Sequence, residues 1–464
     1  MIAETLPKVV GSAMTIRPRL SALREITGIE VTGFKSAADT VHVNFRNITI
    51  FAGANSAGKS TIMQPLLMIK QTIETPFDPG GLSIGGPLAR FTHADQFFSH
   101  TSLKTSGDVF SIGFWQGTHK TTLSYGRASS GIIDVMEMSF GSRGKSHTWR
   151  PGEVLTEDSP SLKYIEDQKI YGNIYPRQYF NDLFKNFQLK ILPDRSFLIV
   201  NLLRKDDDAA ISRGRSIFAS PANSLSEQVR KLIYLPGLRG NPERNYVISA
   251  AGPEFPGSFN DYVASIIHYW VVSKDEKLKI LQKNLKDLGL TWRVTTKSVD
   301  DTRVEVRVGR LPNAAQGGAK DTVNIADVGF GVSQTLPVLV ALLSAEPGRM
   351  VFVEQPELHL HPKAQVALAD IILQAADRGV RVIIETHSSL LILALQTVVA
   401  EGRISPDRIS MNWFSRDNTG QTRVIEATLG NDGSYGEWPA DFDTIELALQ
   451  DKYMSVVERR RAEG

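Results

Sequence analysis

A short apolar run, Ile48 to Ala52, leads directly into Gly53-Ala54-Asn55-Ser56-Ala57-Gly58-Lys59-Ser60, and Ile62 to Ile73 then shows helical periodicity. This order of strand, glycine-containing loop and helix fits the pattern G-x-x-x-x-G-K-[ST]. It restricts the chain to folds in which a strand end and a helix N-terminus together enclose a phosphate group. Glycine lets the backbone curl so that several N–H groups face the anion. Lys59 is expected to reach the β- and γ-phosphates of a nucleotide, and Ser60 to offer its hydroxyl oxygen to Mg²⁺. Gly53, Asn55, Ser56, Ala57, Gly58 and Thr61 complete the expected nucleotide contacts. An ordinary Gly-rich turn is the competing reading. The Gly-Lys-Ser triplet in this strand–loop–helix setting argues against it.

Two further strand ends carry polar groups. Met350-Val351-Phe352-Val353 is an apolar strand ending in Glu354. In a P-loop fold a carboxylate there sits beside the phosphate loop and holds Mg²⁺ through water. Gln355-Pro356-Glu357-Leu358-His359-Leu360-His361-Pro362 follows, with Pro362 suited to the first position of the next helix. The strand Val380 to Ile384 ends in Glu385-Thr386-His387-Ser388, which is expected to bring the His387 imidazole near the γ-phosphate. His359 and His361 read more readily as structural residues than as metal ligands, because no further ligand stands at a recognisable spacing.

The string Glu354 to Pro362, the string Glu385 to Ser388 and the run Asp327-Val-Gly-Phe-Gly-Val-Ser-Gln-Thr-Leu-Pro337 together resemble ABC-type ATPases of the SMC, RecF and OLD-like group. The resemblance is greatest to standalone bacterial AAA-family ATPases with an ABC-like core and no fused nuclease domain. Gly433-Ser-Tyr-Gly-Glu-Trp-Pro439, with Asp441 and Phe442, is similar to a C-terminal motif of that standalone group. The resemblance implies that Gly329 to Gln334 is a signature loop, with Gly331 and Ser333 reaching a partner's γ-phosphate across a two-fold interface. Ser333 is expected to open a helix running from Gln334 to Leu343. Phe34-Lys35-Ser36 resembles the early basic motif that lies near the nucleotide, which adds Lys35 and Ser36 to the binding set.

The cofactors so implied are ATP and Mg²⁺, the metal being held by Ser60 and Glu354. The implied assembly is a homodimer, or a higher even-numbered homo-oligomer, whose nucleotide sites are completed between chains. By analogy with the standalone group, such a switch controls a separate nuclease-like effector in an anti-phage system. A RecF- or SMC-like repair ATPase that binds DNA is the alternative. A transporter subunit fits less well, since residues 143–230 exceed the usual helical insert. The chain departs from the family pattern at Gln355, where a glutamate usually polarises the attacking water. A neutral amide orients water but accepts no proton, so turnover is expected at or below the low end of the usual range of about 1–10³ s⁻¹. Glu357 or Glu385 could supply the missing base, and both stay open. Glu354, Gln355, Glu357 and His387 form the expected catalytic set, and Gln96 is a weak candidate for a Q-loop glutamine.

Hydrophobic residues make up 42% and charged residues 22% of the 464, the balance of a globular chain. Lys and Arg number 52 against 50 Asp and Glu, so no global charge argues for nucleic acid. Cysteine is absent, which excludes disulfides, thiolate zinc sites and cysteine nucleophiles and suits a cytoplasmic location. No apolar run reaches the roughly 18 residues that would span a bilayer, so no membrane partner is expected. The expected fold is α/β: an ABC-type P-loop core, a mixed sheet flanked by helices, with an antiparallel β flank and an inserted helical subdomain. The expected divisions are an arm at 1–26, a core N-lobe at 27–142, a mostly helical insert at 143–230, a core C-lobe at 231–445 and a tail at 446–464.

Overall fold

The apolar runs around Ile50, Phe352 and Ile383 are continuous, not alternating, because their strands are covered on both faces. In the computed structural model, which describes residues 25–161, 187–204, 220–310, 321–436 and 451–457 apart from short gaps, these runs lie in one six-stranded sheet. Its order is Ile233–Leu235, Met350–Glu354, Arg381–Glu385, Ile48–Gly53, Ile409–Arg416 and Thr422–Ala427. The first five strands are parallel and the last turns back antiparallel. Ile48, Ile50, Val351, Val353, Val382 and Ile384 enter one core, whereas Phe51, Phe352, Ile383 and Phe414 enter the other.

The first core is closed by the helices Asn260–Ser273, Glu276–Asp287, Phe330–Ser344, Pro362–Asp377 and Ser389–Ala400. A small sheet built from Tyr246–Val247, Val294–Ser298, Arg303–Gly309 and Thr322–Asn324 joins them. The second core is closed by the helix Lys59–Glu74 and a six-stranded antiparallel sheet. That sheet runs in the order Val41–Asn44, Gly28–Thr32, Val109–Gln116, His119–Arg127, Ile133–Ser142 and Lys145–Trp149. Each fully buried Val, Leu, Ile or Phe contributes about 1.5–3 kcal/mol. The two cores therefore hold the strand ends in place, and the polar groups at those ends are left for other work.

The mixed α/β fold with an antiparallel flank is the one the sequence predicts, but the insert differs. Among the described residues of 143–230, the strands Val154–Leu155, Phe187–Asp194 and Phe197–Arg204 form an antiparallel sheet, and the one long helix is Asn223–Lys231. The expected mostly helical character is not found there. Leu189 and Ile191 on one strand and Leu198 and Val200 on the next are buried at a spacing of two, the strand period. A tight turn at Arg195 (φ 54°) joins the two strands. Residues 162–186 and 205–219 lie outside the described residues, as do most of the expected arm and Glu437 to Phe442 of the C-terminal motif.

A second difference concerns Ser333. The helix begins at Phe330, with Gly329 as its N-cap in extended conformation and no side-chain cap, so Ser333 lies within the first turn and does not open the helix. Among the described residues, no helix is long and apolar enough to cross a membrane.

Candidate functional site

The parallel strands place Gly53, Glu354 and Glu385 at the same end of the sheet, where ligands bind in open α/β folds. Gly53 (φ 138°) is pressed against the neighbouring strand, and a Cβ there would lie 2.1 Å from the Phe414 carbonyl oxygen. Gly58 (φ 102°) caps the following helix, and a Cβ there would lie 2.1 Å from Thr422 Oγ1. Between them, Asn55 and Ser56 are exposed, while Ala57 is buried. Ser56 holds a left-handed φ of 61°, a strained setting typical of ligand-gripping loops. Lys59 is buried, and its Nζ donates to the carbonyl oxygens of Gly53 (3.0 Å) and Ala54 (2.9 Å). Burial pulls the Lys59 ammonium below its usual range, and Glu385 partly offsets this. Thr61 is buried in the first turn of the helix.

Ser36 and Lys35 support this loop from the side. Ser36 Oγ lies 2.8 Å from Thr422 Oγ1, which also lies 3.0 Å from the Ala57 carbonyl and donates to it. Lys35 donates to Gln64 Oε1 at 2.7 Å and lies 4.6 Å above the Phe91 ring, one helical turn beyond the loop. Gln96 closes a local exposed turn: its Oε1 accepts from the Thr92 N–H at 2.9 Å, and its Nε2 donates to Thr92 Oγ1.

Three carboxylates gather beside the loop. Ser60 Oγ donates to Glu385 Oε2 at 2.9 Å, so the acid touching the loop serine is Glu385 and not Glu354. Burial and then Glu354 push the Glu385 carboxyl up to about 7, against the Ser60 bond and Lys59. Glu354 stands directly across from Glu385 in register, but its carboxylate accepts from Tyr234 Oη (3.0 Å) and the Gly237 N–H (3.1 Å). Burial raises Glu354 as well, opposed by these bonds and by Arg239. Glu357 is also raised by burial; its Oε1 accepts from Thr386 Oγ1 (2.8 Å) and the His387 N–H (3.0 Å). Its Oε2 is buried with no partner among the described residues. Gln355 takes a left-handed φ of 45°, and its N–H donates to the Glu385 carbonyl at 2.6 Å. Burial and then the Lys59 charge hold the His387 imidazole below its usual range, which favours its neutral form.

The phosphate loop, its lysine and three strand-end acids thus meet in one place. Residues 287–394 match a family of AAA domains. That family is described as "AAA domain, putative AbiEii toxin, Type IV TA system". The matched segment includes the signature-like run, Glu354 to Pro362 and His387. No curated protein matches the chain by sequence. Among solved structures, the chain is similar to an SMC head bound to the C-winged helix domain of ScpA, at 13% identity and TM-score 0.44, covering 87% of this chain and 98% of that one. The SMC head domain from Thermotoga maritima is similar at 9% identity and TM-score 0.38, over 86% and 98% of the two chains. An SMC head from Pyrococcus furiosus is similar at 12% identity and TM-score 0.43, over 94% and 99%.

Not every expected residue lies at the loop. A Cβ at Gly331 would lie 3.4 Å from Leu290 and from the His359 carbonyl, and Ser333 Oγ donates to the Phe330 carbonyl at 3.1 Å. The Phe330 ring lies 5.8 Å from the His359 ring and is tilted 31° to it, and His359 is exposed with φ 65°. His361 caps the helix Pro362–Asp377 through its Nδ1, which fixes the start of that helix. Three residues escaped the sequence reading: Tyr234 and Arg239 around Glu354, and Thr422 beneath the loop. Arg239 carried a usable signal, since Pro236-Gly-Leu-Arg-Gly240 directly follows a buried strand. Thr422 carried none.

Mg²⁺ calls for hard oxygen donors. Two carboxyls stand in register, both raised first by burial; Glu385 accepts from the Ser60 hydroxyl, and Glu354 is held beside it by Tyr234 and Gly237. A hard divalent cation suits these oxygens. The residues fit. Among the described residues, no group of three or more His, Cys, Asp or Glu is arranged to hold a metal on its own.

Proposed function

We propose that this chain binds Mg-ATP in the Gly53–Ser60 loop and hydrolyses it slowly. It serves as a nucleotide-driven switch whose sites are completed between two copies. One observation carries the reading: a buried lysine folded onto the loop carbonyls, beside a serine that touches a carboxyl at the end of the adjacent strand. The lysine, with its charge partly desolvated, donates to two loop carbonyls and has the acid Glu385 near it. A triphosphate gives it a stronger partner and presents its phosphates to the loop N–H groups. Bound Mg²⁺ would neutralise charge on the phosphates, held by Ser60 with Glu385 and Glu354 as the neighbouring acids. Asn55, Ser56, Ala57, Gly58 and Thr61 are proposed to line the phosphates, with Lys35 and Ser36 behind them.

Water activation falls to this chain's own groups. Gln355 orients water without taking its proton, and His387, in its neutral form, is placed to hydrogen-bond a terminal phosphate oxygen. Glu385 stands closest to Ser60, whereas Glu357 already serves Thr386 and His387 with one oxygen. This favours Glu385 over Glu357 as the proton acceptor. The helix Phe330–Ser344 is proposed to offer Gly331 and Ser333 to a second copy. The toxin–antitoxin wording of the matched family supports a role in defence, with a separate effector as the controlled partner.

The test is a paired substitution. Lys59→Ala should abolish binding of a fluorescent ATP analogue. Ser333→Arg should keep binding by the monomer but block both ATP-dependent dimerisation and phosphate release. Full ATPase activity in Ser333→Arg would overturn the shared-site reading, and unchanged affinity in Lys59→Ala would overturn the loop assignment.

A further inference from the structure

Arg239 follows the edge strand Ile233–Leu235 and is 8% exposed. Its Nη2 donates to the carbonyl oxygens of Glu354 (2.6 Å) and Gln355 (3.2 Å), and its Nη1 donates to the carbonyl of Gln334 (3.2 Å). Gln334 answers through its own side chain, Nε2 donating to the Gly240 carbonyl at 2.7 Å. The first two acceptors form the end of the acid strand, and the third lies in the helix Phe330–Ser344, one residue past Ser333. All three are backbone groups, so the guanidinium sets the position of main chain in two elements at once.

This arrangement is costly for a loop that needed only to be anchored. Burial lowers the Arg239 pKa to about 10, with Glu357 and Glu354 opposing that shift. Its Nε is buried with no partner among the described residues. An apolar side chain would fill the space without stranding a donor. What an apolar side chain cannot do is join three carbonyls with one rigid planar fork, nor can the single ammonium of lysine.

We propose that Arg239 is a positioning residue: it ties the signature helix of each chain to that chain's own acid-strand end, so that nucleotide bound at one site sets the loop offered to the other. The inference rests on the shared-site reading above. Arg239 makes none of its hydrogen bonds to the phosphate loop, so its loss acts on communication between sites and leaves the first binding event intact.

The experiment uses the full chain with Arg239→Lys and Arg239→Ala. Affinity for a fluorescent ATP analogue, the ATP dependence of hydrolysis and its Hill coefficient are measured for each, beside thermal unfolding. Affinity for the first nucleotide should stay near that of the parent, kcat should fall by about tenfold or more, and the coupling between sites, usually about 5–150-fold in affinity, should be lost, taking the Hill coefficient to one. Parental kcat and Hill coefficient in the variants would overturn the inference, as would affinity falling in step with kcat, which would make Arg239 part of the nucleotide pocket. If Arg239→Ala does not fold, Arg239→Lys decides. A parent protein that neither binds ATP nor dimerises with it would instead overturn the reading beneath.

Discussion

Replacing Glu385 by Gln is the most informative single change at the site. In the folded chain its carboxyl is pushed from an ordinary 4.5 up to about 7 by burial and by Glu354. A raised carboxylate pKa means that the native state holds a proton which the unfolded chain releases. Stability therefore falls as pH rises through the window from 4.5 to 7, and the full penalty stands above it. A shift of this size, at 1.36 kcal/mol per unit, corresponds to about 3 kcal/mol. Glutamine keeps the shape and can still accept the Ser60 hydrogen bond, but it carries no charge. Glu385→Gln should thus stabilise the nucleotide-free protein by about 3 kcal/mol at pH 8 and by less than about 1 kcal/mol at pH 5. Urea unfolding of both proteins at the two pH values measures the difference directly. A variant no more stable than its parent at pH 8, or a gain that persists unchanged at pH 5, would refute the electrostatic reasoning.

Two further changes test the scaffold. Gly53→Ala places a methyl group 2.1 Å from the Phe414 carbonyl at a φ of 138°, and strain of this kind costs at least about 1–3 kcal/mol. Gly331→Ala meets only ordinary contacts at 3.4 Å inside a helix and should be neutral or stabilise by up to about 1 kcal/mol. A paired thermal-melt comparison that ranks the two the other way would contradict both assignments. Lys70→Met should cost about 3–5 kcal/mol, because it leaves Glu74 buried and stripped of its ion-pair partner. Lys70→Met combined with Glu74→Leu should recover much of that loss in denaturant unfolding, and a double variant as unstable as the single one would count against the pair.

The core and the strand–loop–helix order around Gly53 to Ser60 were legible because each depends on local order. A continuous apolar run such as Met350 to Val353 reports a strand covered on both sides, and Gly58-Lys59-Ser60 reports a loop whose chemistry is written in adjacent residues. The hairpin Phe187–Asp194 with Phe197–Arg204 was not read, although its alternation is present, because the charged and Asn-rich stretches around it blurred the period. The start of the helix Phe330–Ser344 was misplaced by giving Ser333 the cap position that Gly329 occupies. The pairing of Ser60 with Glu385 was beyond sequence. It depends on which of two acids in register turns towards the loop, and Tyr234 and Gly237 settle that by drawing Glu354 away.

The hydroxyl of Thr422, which props the phosphate loop at the Ala57 carbonyl, comes from 365 residues further along the chain. The strand carrying Gly53 is likewise flanked on both sides by strands from the last third of the sequence. During synthesis, then, the ribosome releases the Gly-Lys-Ser triplet long before the groups that shape it. The full set of supports for this loop, Thr422 included, can form only after the strand Thr422–Ala427 has left the exit tunnel, which makes the shape of the loop a late product of folding.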